Sequence, residues 1–334
     1  MVQTFQAFVV DQPAGHFTAN IKKLTLGALP QSEVLIKVLY SSVNYKDALA
    51  AIPDGKIVSA YPFIPGIDLA GMVVASEDQR YRAGDAVVAT GFDIGVSHFG
   101  GFSEYASIPA DWLVPLPEGL TLKEAMIFGT AGFTAALSIQ RLEENGLSAD
   151  KGDVLVTGAT GGVGSLAVSM LAELGYSVVA STGKQTERDY LQRLGAAQVI
   201  TREAIYDGTI KPLDGQRWAA AVDPVGGAAL ASLLSQIKYH GSVAVCGLTG
   251  GSKIPTTVYP FILRGVNLLG IDSVYCPMAE RKKIWKRMAT DWKPRQALDL
   301  IQKEISLNEL PDVLPLILNG RVRGRMVVRL SPEV

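Results

Sequence analysis

The stretch VLVTGATGGVGSLAVSMLAELGY, residues 154–176, constrains the fold of this chain more than any other. Val154, Leu155 and Val156 form a short apolar run that reads as a buried strand. Gly158, Gly161, Gly162 and Gly164 crowd the turn that follows. From Ser165 to Leu174 apolar residues recur at helical spacing, and Gly175 stands where a left-handed C-terminal cap belongs. Strand, tight glycine turn and helix together aim helix-start N–H groups and the positive end of the helix dipole at a pyrophosphate. The stretch 154–172 carries no charge, which alone would suit a membrane span, but four glycines in its first half suit strand–turn–helix better. The expectation is a dinucleotide site in mid-chain.

Composition narrows what surrounds that site. A length of 334 residues allows about two domains. Hydrophobic residues make up 48% and charged residues 19%, enough for a large core and against general disorder. A net charge of -1 argues against nucleic acid or an anionic membrane as partner. Cys246 and Cys276 are the only cysteines, too few for a disulfide framework or a cysteine-rich zinc lobe. The opening MVQTFQAFVVDQPAG lacks the basic region and apolar core of a secretory leader, so a cytoplasmic protein is expected.

The first part of the chain reads as strands. Phe5 to Val10, Glu33 to Val43, Ile67 to Ala75, Asp85 to Thr90, Phe102 to Ile108 and Trp112 to Leu116 are short apolar or β-branched runs separated by turn signals. This predicts a β-rich domain, a distorted barrel. Thr121 and Glu124 spell a capping box, and from there strands and helices alternate. Strands are expected at 153–157, 177–181, 198–201, 218–223, 242–246 and 266–272, which predicts an open, mainly parallel sheet. The fold class is therefore α/β: a Rossmann-type doubly wound parallel sheet plus a β-rich domain. After residue 273 come two helices and a final strand, Arg325 to Leu330, too short for a domain of their own and expected to return to the first.

Cofactor choice rests on the end of the second strand. NAD sites usually place Asp or Glu there for the ribose hydroxyls. This chain has Ser181-Thr182-Gly183-Lys184 and no carboxylate until Glu187. Hydroxyls and a lysine suit a 2′-phosphate, and Arg202 past the third strand can join them, so NADPH is favoured over NADH. The bland alternative is a Lys184 that merely begins a solvated helix. The spelling Thr157 to Gly164 also fits short-chain dehydrogenases, but those carry it near the N-terminus and add a Tyr-x-x-x-Lys pair. None of the 11 tyrosines here has lysine at the fourth position.

Further spellings carry a resemblance. They are SSVNYKDALA (41–50), PGIDLAG (65–71), GTAGFTA (129–135), VTGATGGVG (156–164), DPVGG (223–227) and PFILRGVNLLGIDSVYCP (260–277). With them the chain resembles the medium-chain dehydrogenase/reductase superfamily over essentially its full length. It is most similar there to the zinc-independent quinone oxidoreductase and acrylyl-CoA reductase group. The resemblance implies a GroES-like substrate domain from 1–126 and 273–334 and a Rossmann NADPH-binding domain at 127–272. It also implies a homodimer joined through the last nucleotide-domain strand. The implied activity is NADPH-dependent reduction of an activated carbon–carbon double bond, first of all acryloyl-CoA or a related enoyl-CoA. An NADPH:quinone oxidoreductase is the nearest alternative, and a non-catalytic NADPH-binding regulator or structural protein is the alternative of another class. Zinc alcohol dehydrogenases have Gly-His-Glu where this chain has Gly66-Ile67-Asp68; His16, His98 and His240 are dispersed, and no metal site is expected.

Site residues carry over one at a time. Tyr45 matches a tyrosine that contacts NADPH, and three roles compete for it: proton donor, oxyanion donor, or a wall against the nicotinamide, the last placed first. A core tyrosine with a satisfied hydroxyl is the bland reading. Ala159, Thr160, Gly161, Gly162 and Val163 match the phosphate turn, and Ser181, Thr182, Gly183 and Lys184 the 2′-phosphate grip, where relatives usually have arginine for Lys184. Arg202, Leu248, Ile262 and Ser273 match further cofactor contacts. Gly320 stands where some relatives have asparagine. Arg325 in GRVRGR is a further candidate contact, with capping of the last strand as the alternative. Arg281, Lys282, Lys283, Lys286 and Arg287 read as a solvated helix face, Cys246 as a packed thiol, and His98 as part of a loop with a speculative lid role.

Overall fold

Val154, Leu155 and Val156 are each 0% exposed, as an interior strand of a parallel sheet requires. In the computed structural model, which describes residues 3–332, this strand sits inside a six-stranded parallel sheet. The spatial order is Gln198–Thr201, Val178–Thr182, Val154–Val156, Trp218–Asp223, Ile237–Val245 and Asn267–Gly270. Chain order therefore reverses beside Val154–Val156, the switch point at which doubly wound folds bind ligands. The helix Gly162–Glu173 stops before Gly175, whose φ of 80° is the expected left-handed cap. The fifth strand starts at Ile237, ahead of the expected 242. His240 takes a left-handed φ of 60° and the register against Trp218–Asp223 shifts, so a polar Lys-Tyr-His-Gly segment stays in the strand.

The chain divides into two units. One runs to Thr130 and takes back Val274–Ala289 and the chain from Gln302; the other is Ala131–Ser273 with Thr290–Ile301. The sequence reading divides the chain at 126/127 and 272/273 and leaves 290–301 with the first unit.

The β-rich unit has a seven-stranded sheet. Its order is Gln302–Ser306, Arg325–Arg329, Val34–Ser42, Asp68–Ser76, Ala86–Thr90 and Leu113–Pro115, with Tyr105–Ile108 also pairing Val34–Ser42. Alternate residues of these strands, among them Ile36, Val38, Leu69, Val73, Val87 and Val328, fill one apolar core. A hairpin of Thr4–Asp11 and Thr18–Thr25 lies outside that sheet. Its second strand, TANIKKLT, is half-buried at best, so its mixed polarity hides it from a search for apolar runs. The Thr121–Glu124 box forms as expected: Thr121 N–H donates to Glu124 Oε2 at 2.9 Å and Glu124 N–H to Thr121 Oγ1 at 3.1 Å. It opens the helix Leu122–Glu144, which is broken at Gly129 by φ 49°, ψ -154°. After residue 273 there are three helices, Met278–Ala289, Leu298–Ile301 and Leu310–Leu318, and the strand Gln302–Ser306 precedes the last one; the sequence suggests two helices and a single strand. Among the described residues no helix is long and apolar enough to cross a membrane.

Candidate functional site

The nucleotide turn is built by backbone that only small residues permit. Gly158 has φ 54°, and Gly161 N–H closes back on its carbonyl at 3.0 Å. Ala159 N–H reaches across to Ser181 O at 3.1 Å, which ties the turn to the end of the neighbouring strand. A side chain on Gly164 would collide with the Gly158 carbonyl and the Ala159 Cα, so the helix start packs directly on the turn. The helix Gly162–Glu173 begins at Gly161 with no side-chain cap. Its first-turn N–H groups are thus available to a ligand's anionic oxygens. Ala159 and Thr160 are buried while Gly161 is exposed and Gly162 and Val163 are half-buried, an open cradle a pyrophosphate fits.

Beneath the turn, Thr157 Oγ1 donates to Asp223, and Asp223 Oδ2 accepts Gly226 N–H at 2.8 Å. Burial raises the Asp223 carboxyl above its ordinary pKa even though both bonds favour the charged form. This carboxylate, absent from the sequence-level site, locks two neighbouring strand ends together.

The strand Val178–Thr182 delivers Ser181 and Thr182, both buried, and then the exposed Gly183 and half-buried Lys184. Lys184 N–H donates to Thr182 Oγ1 at 3.0 Å, which turns the chain at the strand end. Thr201 pairs with Thr182 in register, so Arg202 arrives beside Gly183. A Cβ on Gly183 would lie 3.3 Å from Arg202 Cδ and Nε. The Arg202 side chain is 77% exposed and its Nε pairs with Glu203 at 2.9 Å, a surface bond. Serine, threonine, lysine and arginine therefore converge on one rim with no carboxylate at the strand end itself. Leu248 and Ile262 are also exposed in this unit, and Ser273 Oγ accepts the Thr134 hydroxyl at 2.8 Å.

In the other unit, Tyr45 is the first residue of the short helix Tyr45–Ala50 and is 47% exposed. That excludes the satisfied core tyrosine. Arg325 is a correction: it is only 2% exposed and faces the interior. Its Nη1 donates to Val43 O at 3.0 Å, its Nη2 to Ser42 Oγ at 2.7 Å and its Nε to Ile127 O at 3.1 Å. A guanidinium used in this way organises the chain before Tyr45; it is not a surface cofactor contact. It faces Asp68, with Nη2 and Oδ2 3.6 Å apart. Asp68 accepts from Ser42 Oγ at 2.6 Å, Asn44 Nδ2 at 2.7 Å and Thr130 N–H at 2.9 Å. The Gly129 break is required here, since a Cβ would strike Asp68, Ser42 and Arg325. The sequence signal for Asp68 was a lone carboxylate in the apolar run PGIDLAG.

A second carboxylate, Asp47, is buried beside this pair. It accepts Asn44 N–H at 2.8 Å and Ile67 N–H at 2.9 Å. Burial, and then the charge of Asp68, pushes its pKa up to about 7. Raised above its unfolded value, Asp47 holds its proton longer in the folded chain, so stability declines as pH rises from about 4 to 7 and levels off above. Asp47→Asn removes this dependence. The stability difference between variant and parent should move in the variant's favour by about 2 kcal/mol between pH 5 and pH 8. The amide loses one acceptor, so the offset is unfavourable and the slope is the quantity to read, by urea unfolding at each pH. Equal slopes for the two proteins would exclude a titrating Asp47.

Other expectations change. Arg281 does not belong to the solvated face: it is 0% exposed, donates to Thr90 O at 2.9 Å and Val274 O at 3.0 Å, and lies 4.6 Å over the Phe92 ring. Lys282, Lys283 and Lys286 on the same helix are exposed. His98 is held by Ser32 Oγ and Phe99 O, each at 3.1 Å, and burial lowers its pKa, so it is anchored within its loop. Burial and the nearby Asp223 push the Cys246 thiol up to about 12, the behaviour of a packed thiol and not a nucleophile. A recess of about 340 Å³ lies elsewhere, at Gly146, Lys151, Lys238 and His240. Its two ammonium groups already bond carbonyls of its own wall, those of Gly146 and Lys151, and no residue of the glycine turn lines it.

The chain matches two described families: the alcohol dehydrogenase GroES-like domain over residues 30–118 and the zinc-binding dehydrogenase over residues 162–290. The second description names zinc, yet among the described residues no three His, Cys, Asp or Glu side chains lie together so as to hold a metal ion. It is 59% identical to the "Putative quinone oxidoreductase YhfP" of Bacillus subtilis, over 99% of this chain and 100% of the relative. The crystal structure of that protein, with NAD bound, superposes with a TM-score of 0.96 over 98% of this chain and 100% of the other. It is 51% identical to the acrylyl-CoA reductase AcuI of Ruegeria pomeroyi, over 98% of this chain and 99% of the relative. The yhdH oxidoreductase of Salmonella enterica, solved in complex with NADP, is 46% identical with a TM-score of 0.95, over 98% of this chain and 100% of the other. A doubly wound sheet with a glycine turn, a β-rich partner unit and full-length identity of this order have one explanation: the chain belongs to the quinone oxidoreductase and acrylyl-CoA reductase family of the medium-chain dehydrogenase/reductase superfamily.

Proposed function

We propose that the chain is an NADPH-dependent reductase of carbon–carbon double bonds activated by a carbonyl, with acryloyl-CoA or a related enoyl-CoA as its first acceptor. The observation that carries the cofactor is the strand end Ser181–Lys184 with Arg202 beside Gly183 and no carboxylate among them. The acceptor rests on 51% identity to AcuI over nearly the whole chain. Ala159, Thr160, Gly161, Gly162 and Val163 hold the pyrophosphate; Ser181, Thr182, Gly183, Lys184 and Arg202 take the 2′-phosphate; Leu248, Ile262 and Ser273 complete the contacts. When bound, NADPH supplies the hydride. Tyr45 presents its ring as a wall for the nicotinamide, and its phenol is the candidate donor to the oxyanion that develops on the substrate carbonyl. The proton can then come from Tyr45 or from water.

The name of the 59% identical relative supports a second reading, an NADPH:quinone oxidoreductase using the same donor site. Both acceptors are electron-poor alkenes, so turnover separates them. Following NADPH absorbance, acryloyl-CoA is expected to be reduced at least tenfold faster than a benzoquinone. A faster quinone rate replaces the first reading with the second. Binding of NADPH with no consumption across enones, enoyl-CoAs and quinones would leave only a non-catalytic regulator or structural protein. The protein is further proposed to be a cytoplasmic homodimer. Asn267–Gly270 ends the sheet with one free edge, and Ile262 and Leu263 are exposed on the helix before it. Light scattering of the intact chain should give twice the 35.6 kDa chain mass.

A further inference from the structure

Helix Tyr45–Ala50 has six residues, and its first side chain is half-exposed, so little packing of its own fixes the Tyr45 ring. Its entry is fixed instead at Asn44. The Asn44 amide is gripped from both sides: Nδ2 donates to Asp68 Oδ2 at 2.7 Å, and Oδ1 accepts from Arg325 Nη1 at 3.2 Å. Only one orientation of the amide satisfies both partners. Arg325 also holds Val43 O and Ser42 Oγ, and the Ser42 hydroxyl in turn donates to Asp68. The three residues that lead into Tyr45 are thus all tied to one buried ion pair.

Such a pair is weak evidence for stability, because desolvation offsets most of the attraction and a well-packed apolar replacement is often as stable. What it supplies that an apolar pair cannot is direction. We propose that Asp68 and Arg325 are positioning residues that act through Asn44 to aim Tyr45 in the reductase reaction, an inference that rests on the assignment of Tyr45 to the reacting site. Gly129 and Thr130 belong to the same device: the break at Gly129 makes room for the pair, and the Thr130 N–H and hydroxyl both donate to Asp68 Oδ1, the oxygen that Ser42 and Asn44 leave open.

The test is Asn44→Ser. Serine is an N-cap about as good as asparagine, so the helix start is preserved. It is too short to bridge Asp68 and Arg325. With the faster of acryloyl-CoA and benzoquinone, kcat is expected to fall about tenfold while KM for NADPH stays within about twofold, the signature of misaimed chemistry with binding intact. Amide hydrogen exchange over 45–50 should accelerate, with exchange in the nucleotide unit unchanged. In a Tyr45→Ala background, Asn44→Ser should remove less than about twofold more activity, because a group that acts only through Tyr45 has nothing left to aim. If Tyr45→Ala lowers kcat and Asn44→Ser has no effect, or an equal effect with and without Tyr45, the positioning role is wrong and the assignment of Tyr45 stands. If Tyr45→Ala leaves kcat unchanged, both are wrong. Asn44→Thr, also a helix cap, repeats the test should the serine variant not fold.

Discussion

Arg325→Met is expected to lower the free energy of unfolding by about 3–5 kcal/mol, the usual consequence of removing one partner of a buried ion pair. The side chain is fully enclosed, and its three nitrogens reach Ile127 O, Val43 O, Asn44 Oδ1 and Ser42 Oγ. Methionine fills much of the volume but leaves those acceptors without a donor, and it removes the cation that offsets the Asp68 and Asp47 carboxylates. Burial pulls the Arg325 pKa down, and Asp68 and then Asp47 pull it back up, so the carboxylates keep the cation charged in the interior. The double variant Asp68→Asn with Arg325→Met should recover part of the loss, since it removes a carboxylate together with its cation. Urea unfolding of the intact chain reads both. A loss under about 1 kcal/mol for Arg325→Met would mean that water or rearrangement satisfies the acceptors and that no uncompensated buried charge is left.

Lys184→Ala combined with Arg202→Ala is expected to weaken NADPH binding about 100-fold, roughly 2.7 kcal/mol, and to change NADH binding by less than about threefold. A 2′-phosphate is recognised by charge-assisted donors, and these are the two cationic side chains at this strand end. The single variants separate their shares: Arg202 can offer a planar fork, and Lys184 a point charge. Lys184→Arg should therefore strengthen NADPH binding. Fluorescence titration with each nucleotide is the measurement, and it has force here because a 60% identical structure holds NAD while 46% identical ones hold NADP or NADPH. A double variant that still prefers NADPH would place the 2′-phosphate elsewhere.

The contrast between these two sites explains which parts of the molecule were legible in the residues. The glycine turn and its strand end are local: neighbours in sequence are neighbours in space, and a glycine has its reason within a few positions. Gly158, Gly164, Gly175 and the Thr121–Glu124 box each did what their spelling implied. The strand Gln302–Ser306, which follows the short helix Leu298–Ile301, was not visible because QKEIS has no apolar alternation; its place at a sheet edge beside Arg325–Arg329 stabilises it. Arg281 misled for a related reason. Its helix neighbours are solvated lysines, and it is contacts with Thr90 and Phe92, far away in the chain, and with Val274 just before the helix that show this position faces inward.

By itself the sequence determined the doubly wound sheet, the cofactor class its turn can take and the hydroxyl and cationic residues at the end of the second strand, because those depend on backbone freedom and charge within short stretches. Tertiary structure alone decided that Arg325 is an interior residue, that Asp68, distant in the chain from it, is its partner, and that Gly129 is empty so that the two can meet. The physical reason is range. A turn or a cap is settled by a handful of consecutive residues, whereas a buried charge is tolerable only when strands far apart in the chain bring its counter-charge and its hydrogen-bond partners to the same point.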